Sequence, residues 1–314
     1  MPFVAEPLSQ QGIIIFEMTV FNLPDDIFSD KTELGSSIIV HHYVTPTSHL
    51  REKSVLHRNA VSLVIKGQKT IRFAETAVST NDNEIHFLSS GNSISSFDIT
   101  KQTEFESILI FFDDKVLTDF AVSHATLIDK EQKKYCSTPS RYVSFQKDDF
   151  INNYIQSIRL MVTNRNQFST EMKRLKLWEL LLYLLENHSE LFLAFLNRGA
   201  MPHNETIVRR VVEANITENL SLAEMAFLCN VSTSTFKRQF TKIYNSPPAS
   251  WFAEQKMKLA AQLLTDHKQK PGEIWFQLGY ETHTSFTKSF KKHFGVSPKI
   301  YVQKNLTRQE HVLN

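Results

Sequence analysis

One pattern is written twice near the C-terminal end of the 314-residue chain, and few folds accommodate such a duplication. Residues 235–248 read TFKRQFTKIYNSPP and residues 285–298 read SFTKSFKKHFGVSP. Fifty positions separate Phe236 from Phe286, Phe240 from Phe290, Tyr244 from Phe294, Arg238 from Lys288, Lys242 from Lys292, Asn245 from Gly295 and Pro248 from Pro298. Aromatic residues at every fourth position share one stripe of a helix and leave the basic and hydroxyl residues outside it. Asn245 and Gly295 suit the left-handed conformation that ends a helix, and the prolines beyond them prevent its resumption. The phenylalanines have a second conceivable use, as stacking platforms for bases, but four-residue spacing beside a matched apolar helix favours a core.

A shorter helix and a tight turn precede each copy. In SLAEMAFLCNVS, Leu222, Met225, Ala226 and Leu228 fall near helical spacing, Ser221 suits an N-cap, Asn230 suits the turn and Ser232 caps the next helix. EIWFQLGYET supplies Ile274, Trp275 and Leu278, with Gly279 in the turn. Helix, short turn with Gly or Asn, helix: this is a helix-turn-helix, whose second helix enters the major groove of DNA N-terminal half first. Opposite Phe236 and Phe240, the second helix of the first unit carries Ser234, Thr235, Lys237, Arg238 and Thr241. In the second unit the corresponding face carries His283, Thr284, Ser285, Thr287 and Lys288, after a turn one residue longer. Arg238 has the chemistry to bond guanine O6 and N7 bidentately, whereas serine and threonine read less strictly. Lys242, Lys291 and Lys292 lie farther along and suit phosphates.

These residues resemble the AraC/XylS family of bacterial transcription regulators over about residues 205–302. The resemblance covers two helix-turn-helix units (about 221–244 and 271–294), a linking helix (about 249–265, with WFAEQKMKLAAQLL at 251–264) and the closing GY…F…SFKKHFGVSP run. It departs at Trp275, where the family usually has a small alanine, and at Val302, where arginine is common. It implies an α+β chain of two domains: a cupin-like β-barrel or sandwich over 1–148, followed by dimerisation and linker helices over 149–200, and an all-α DNA-binding domain over 201–314. By family position Ser234, Lys237 and Arg238, then His283, Thr284, Ser285 and Lys288, read bases. The implied partners are double-stranded DNA, a second copy of the chain, RNA polymerase, and a small-molecule effector or regulatory protein. A subgroup that controls type III secretion genes is similar, and some of its members answer to protein partners. The expected function is a sequence-specific transcription regulator, an activator; the alternatives are an architectural DNA binder and a metal-dependent cupin enzyme fused to a DNA-binding domain.

The net charge of +2 becomes informative only when it is divided. Residues 202–314 hold 15 Lys+Arg against 9 Asp+Glu, and the remainder holds 20 against 24. Basic character therefore gathers in the repeat-bearing part, as a polyanion partner requires, although a solvated basic face has the same composition. Two distant cysteines, Cys136 and Cys229, suggest neither a disulfide framework nor a zinc site. The N-terminal MPFVAEPLSQ lacks the form of a secretory signal, and no apolar run approaches the ~18 residues that span a bilayer, so a cytoplasmic, nucleoid-bound protein is expected. No catalytic motif such as GxSxG, a P-loop or HExxH is present, and no cofactor is implied.

Before the linker the text is β-like. Residues 12–20, 36–44, 60–74, 84–90, 93–99 and 105–113 read as short strands, with Lys66 and Gly67 interrupting 60–74 as a hairpin turn would. Strands at this spacing suggest a small barrel or sandwich able to hold one ligand, with no pocket residue assignable. His41, His42, His49, His57 and His86 raise the question of a metal; adjacent strand residues face opposite ways, so His41 and His42 cannot share one. Ordinary packing and pocket lining are the other readings. From Asp149 the pattern turns helical, with Phe150, Tyr154, Ile158 and Met161 on one side and then Met172, Leu175, Trp178, Leu182 and Leu185 at alternating spacings of three and four, broadened by Leu181 and Leu184. Two readings fit that face: packing on the chain's own barrel, or a dimer seam.

Overall fold

The computed structural model describes residues 20–28, 34–46, 49–74, 76–97, 104–163, 168–199, 204–218, 220–265 and 269–304. Nine strands come first: β1 (Val20–Leu23), β2 (Ile38–Thr45), β3 (His49–Leu56), β4 (Asn59–Lys66), β5 (Lys69–Arg72), β6 (Ala77–Thr80), β7 (Glu84–Leu88), β8 (Gly91–Phe97) and β9 (Phe105–Phe112). Two helices, α1 (Asp114–Ser123) and α2 (Ala125–Gln132), separate them from β10 (Tyr142–Gln146). Helices α3 (Asp149–Thr163), α4 (Thr170–Asn187) and α5 (Ser189–Leu196) follow. The strands form two five-stranded sheets, β1-β3-β8-β5-β6 and β10-β7-β4-β9-β2.

The second sheet is buried on both faces, and strand parity shows how. In β9, Ile108, Ile110 and Phe112 face one way into a cluster with the helices, while Leu109 and Phe111 face the other way into the space between the sheets. Strand β4 repeats this with Val61 and Leu63 outward and Ala60 inward. Two buried faces explain why 105–112 reads as a continuous apolar run instead of an alternating one. The outer cluster takes Phe120 from α1, Ile151 and Ile158 from α3, Leu181 and Leu185 from α4, and Phe192 and Phe195 from α5. The helices of residues 149–196 thus share one core with the sheet. Helical structure begins at Asp114, earlier than the sequence reading placed it, because α1 and α2 are short and their charged outer residues mask the stripe of Val116, Leu117 and Phe120.

Residues 60–74 do not form a hairpin. β4 pairs with β7 and β9, whereas β5 pairs with β6 and β8, so the two strands belong to different sheets. Gly67, at φ 92°, turns the chain across the edge of the sandwich, a conformation open to glycine. The strand expected at 12–20 lies outside the described residues except for Val20, which opens β1.

The remaining elements are helical: α6 (Asn204–Ala214), α7 (Leu222–Leu228), α8 (Thr233–Tyr244), α9 (Pro248–Thr265), α10 (Pro271–Gln277) and α11 (His283–Phe294). The chain is therefore α+β in two parts, a β-rich N-terminal region and a helical C-terminal one. The parts meet where β8 and β5 pack on α6 and α7. Ile94 of β8 joins the cluster of Val208, Val211, Met225 and Phe236. Arg72 donates to Asn215 Oδ1 at 2.7 Å and to Glu218 Oε2 at 2.8 Å.

Candidate nucleic-acid interface

Each helix-turn-helix is fixed by local chemistry that the sequence spells out. Ser221 and Glu224 form a capping box on α7, with Ser221 Oγ accepting from Glu224 N at 3.2 Å and Glu224 Oε2 accepting from Ser221 N at 2.7 Å. The turn carries Asn230 at φ 55°, and Ser232 caps α8 by accepting from Thr235 N at 3.2 Å. The second unit repeats the plan: Glu273 caps back onto Lys270 N, Gly279 turns at φ 69°, and Thr282 Oγ1 accepts from Ser285 N at 3.1 Å. The two second helices end alike, at Asn245 (φ 49°) and Gly295 (φ 75°), both left-handed.

The aromatic stripes are core. Phe236, Phe240, Phe286 and Phe290 are fully buried, so none is available to stack on a base. Successive rings contact one another at 6.0 Å (Phe236–Phe240) and 5.7 Å (Phe286–Phe290), and the next rings, Tyr244 and Phe294, follow at 4.7 and 4.5 Å. Burying each such side chain contributes about 1.5–3 kcal/mol. Helix α9 belongs to both cores: Trp251 and Phe252 pack into the first, and Met257, Ala260 and Leu264 into the second. Its 18 residues make a strut about 27 Å long that fixes the two units relative to each other. Trp275 is accommodated half-buried at the edge of the second core beside Tyr280 and Val302.

With the stripes buried, the opposite faces point outward. Ser234, Lys237 and Arg238 on α8 are exposed, as are His283, Thr284, Ser285 and Lys288 on α11. Thr235 is half-buried and Thr287 partly so. The hydroxyls are not equivalent. Ser232 Oγ lies 3.0 Å from Ser234 Oγ and donates to Thr235 Oγ1 at 2.9 Å, while Ser285 Oγ donates to the Thr282 carbonyl at 2.8 Å. Thr235 and Ser285 therefore help to hold their helix N-termini, a role that spacing alone does not separate from base reading. Lys242, Lys291 and Lys292 stand in the last turns of α8 and α11, where a cation also opposes the helix dipole. Among the described residues Lys237, Arg238, Lys288, Lys291 and Lys292 have no carboxylate partner, so their charge is directed to solvent.

The proposed seam residues separate into inner and outer sets. Leu185 is fully buried in the chain's own core with Leu177, Leu180, Leu181 and Leu184, so it cannot lie on an outer surface. Trp178 and Leu182 are half-buried at the edge of that core, Trp178 standing edge-on to Phe120 at 5.8 Å with the Arg174 guanidinium 5.0 Å over it. Met172 and Leu175 are 42% and 54% exposed, beside Leu160 of α3 at 65%, a residue the sequence reading did not single out.

Between the two sheets lies a cavity of about 160 Å³ lined by Tyr43, Glu52, Ser62, Lys69, Ser93 and Ser95 among apolar residues. Burial pushes the Lys69 ammonium down to about 8, against the opposing charge of Glu52. His86 also faces the inter-sheet space; its Nδ1 lies 2.9 Å from Tyr142 Oη, and burial pushes it down to about 4. The histidines do not converge: His42 Nε2 meets Glu106 Oε1 at 2.9 Å, His57 Nε2 meets Asn22 Oδ1 at 3.1 Å, and His41 lies against Phe28. The side chain of His49 lies outside the described residues. Among the described residues no three His, Cys, Asp or Glu side chains gather as metal ligands do. No helix among them is long and apolar enough to cross a membrane.

Comparison with known proteins agrees with this division. Residues 59–195 match the ExsA N-terminal regulatory domain, and residues 225–304 match a helix-turn-helix domain family. The thermoregulatory protein LcrF of Yersinia pestis is 28% identical over 164 residues, which are 52% of this chain and 59% of LcrF, so the match spans about three fifths of that relative. The HTH-type transcriptional regulator ExsA of Pseudomonas aeruginosa is 20% identical over 82% of this chain and 89% of its own length. ToxT of Vibrio cholerae is 13% identical over 85% of this chain and 98% of its own, with a TM-score of 0.37, a level that settles no feature here. The chain thus combines a regulatory domain of the ExsA type with an AraC-type helix-turn-helix domain, and is similar to the regulators LcrF and ExsA.

Proposed function

We propose that this chain is a sequence-specific DNA-binding transcription regulator, an activator, governed through its β-rich region. The observation that carries the reading is the pair of exposed cationic faces on α8 and α11, joined through the single helix α9 that packs into both cores. Arg238, Lys237 and Ser234 read bases in one major groove; His283, Thr284 and Lys288 read the next, with Thr235 and Ser285, whose hydroxyls also bond Ser232 and Thr282, contributing through their remaining hydrogen-bonding capacity. Lys242, Lys291 and Lys292 contact phosphates. Activation is supported by relatives named as activators of a virulence regulon, and it makes RNA polymerase a partner. The inter-sheet cavity, with one ammonium and one carboxylate, suits a small polar effector; a regulatory protein is the other source of control. The protein acts in the cytoplasm, on the nucleoid. Residues 1–148 and 149–200 act together as the regulatory part, and 201–314 as the reader.

Selecting bound fragments from random genomic DNA tests the reading, followed by titration of the selected site against random duplex at matched salt. A regulator discriminates by 10³-fold or more, whereas an architectural binder treats both alike. Pairing of two copies is assigned to Leu160, Met172 and Leu175. Leu175→Asp then yields a folded monomer in sedimentation, and persistence of the dimer rejects that surface.

A further inference from the structure

The back of the first helix-turn-helix is covered, and the equivalent place on the second is bare. Glu224 and Phe227 of α7 lie under the first sheet: Arg51 Nη1 stands 3.6 Å from Glu224 Oε2, Lys53 Nζ stands 5.3 Å over the Phe227 ring, and Asn92 Nδ2 donates to the Phe227 carbonyl at 2.7 Å. Forty-nine positions further along, the glutamate and the phenylalanine recur, followed by a turn residue of the same conformation. Glu224 corresponds to Glu273, each accepting from the backbone N–H of its N-cap residue; Phe227 corresponds to Phe276; Asn230 corresponds to Gly279, each turning with positive φ. Yet Phe276 is 76% exposed, and Glu273 is exposed as well. A single surface phenylalanine is unremarkable by itself. What marks this one is that its counterpart in the same chain is a docking knob with a known occupant.

From that equivalence we infer that the Glu273–Phe276 ridge is a docking surface for a separate protein presenting a basic strand, with one cation for the Glu273 carboxylate and a second over the Phe276 ring. The first unit supplies the chemistry of the occupant, a strand bearing Arg51 and Lys53 with an amide donor alongside. DNA is disfavoured there because the carboxylate repels phosphate. A second copy is disfavoured because its own β3 surface already sits on its own α7, Lys53 being buried there, so one contact breaks for each that forms. A partner cation over an exposed ring and beside a carboxylate gains from both interactions.

The probe is a cyclised two-stranded peptide carrying residues 51–56 and 91–95 in the β3–β8 register, titrated by fluorescence anisotropy into the full-length chain. Saturable binding is expected, weakened tenfold or more by Phe276→Ser, which removes an exposed side chain and leaves the core intact. Glu273→Gln, which keeps an acceptor for the Lys270 N–H while removing the charge, weakens it in a salt-dependent way. Charge reversal of the peptide at Arg51 and Lys53 abolishes it. Absence of saturable binding overturns the proposal, as does binding indifferent to Phe276→Ser, which places the peptide elsewhere. A dimer of the chain that Phe276→Ser dissolves in sedimentation also overturns it, by making the occupant a second copy. The measurement uses no DNA, so its failure leaves the regulator reading standing.

Discussion

In the first helix-turn-helix unit Glu224 and Phe227 lie under strand β3, whereas in the second Glu273 and Phe276 face solvent. The first unit is also tied to the regulatory part through Arg72 and shares a cluster with Ile94; the second packs on α9 and the chain beyond α11. Duplication copied caps, turns and aromatic stripes, but not neighbours. Reading chemistry diverged as well: a guanidinium fork at Arg238 faces an ammonium at Lys288, and a fork discriminates bases where a point charge mostly adds affinity. On the proposed function, the first unit sets register under control of the regulatory part, and the second lengthens the site.

Emptying each aromatic core tests that difference most severely. Phe240→Ala and Phe290→Ala each cost about 3–5 kcal/mol of stability. By amide hydrogen exchange, Phe290→Ala loosens α10 and α11 and leaves β8 protected, whereas Phe240→Ala also loosens β8, because Ile94 belongs to the same cluster. Equal spread from both variants removes the distinction between an anchored and a free unit.

On DNA, Arg238→Ala weakens binding to a selected site by about 1–3 kcal/mol and relaxes preference at one base pair, while Lys288→Ala weakens binding with preference nearly kept. A footprint and affinity unchanged by Arg238→Ala contradict its role. Off DNA, Arg72→Ala leaves the buried Asn215 Oδ1 without its donor, at about 1–3 kcal/mol, and makes α6 exchange faster while α11 is unaffected.

Legibility in the sequence follows the same divide. Caps, turns and stripes of both units are written in residues a few positions apart, so Ser232, Asn245, Gly295 and the four phenylalanines could be placed before any coordinates. The anchoring of the first unit could not: it joins Arg72 to Asn215 and Asn92 to Phe227, more than a hundred residues apart, through side chains with no local signal. Strand β3, HLREKSVL, has no apolar alternation to mark it, because Arg51 and Lys53 meet α7 and Glu52 lines the inter-sheet cavity. The inner stripe of α4 was legible as a wide apolar face, but which edge stays outside depends on a sheet the helix meets only in three dimensions.

The smallest expected effect concerns the turns, where Asn230 of the first unit stands against Gly279 of the second. Gly279 holds φ 69° and Asn230 φ 55°, both in the region that costs an ordinary side chain roughly 1–2 kcal/mol and asparagine less. Gly279→Ala therefore lowers stability by about 1 kcal/mol, whereas Asn230→Gly changes it by a few tenths, since it exchanges one tolerated residue for another. Urea unfolding followed separately in the two units resolves these values. If Asn230→Gly is instead the costlier change, Asn230 contributes more than its conformation, and the natural place for that contribution is the cleft between the parts, which it lines with Leu228, Asn92 and Arg141. The first turn would then be a joint between reader and regulator, and the second turn only a turn.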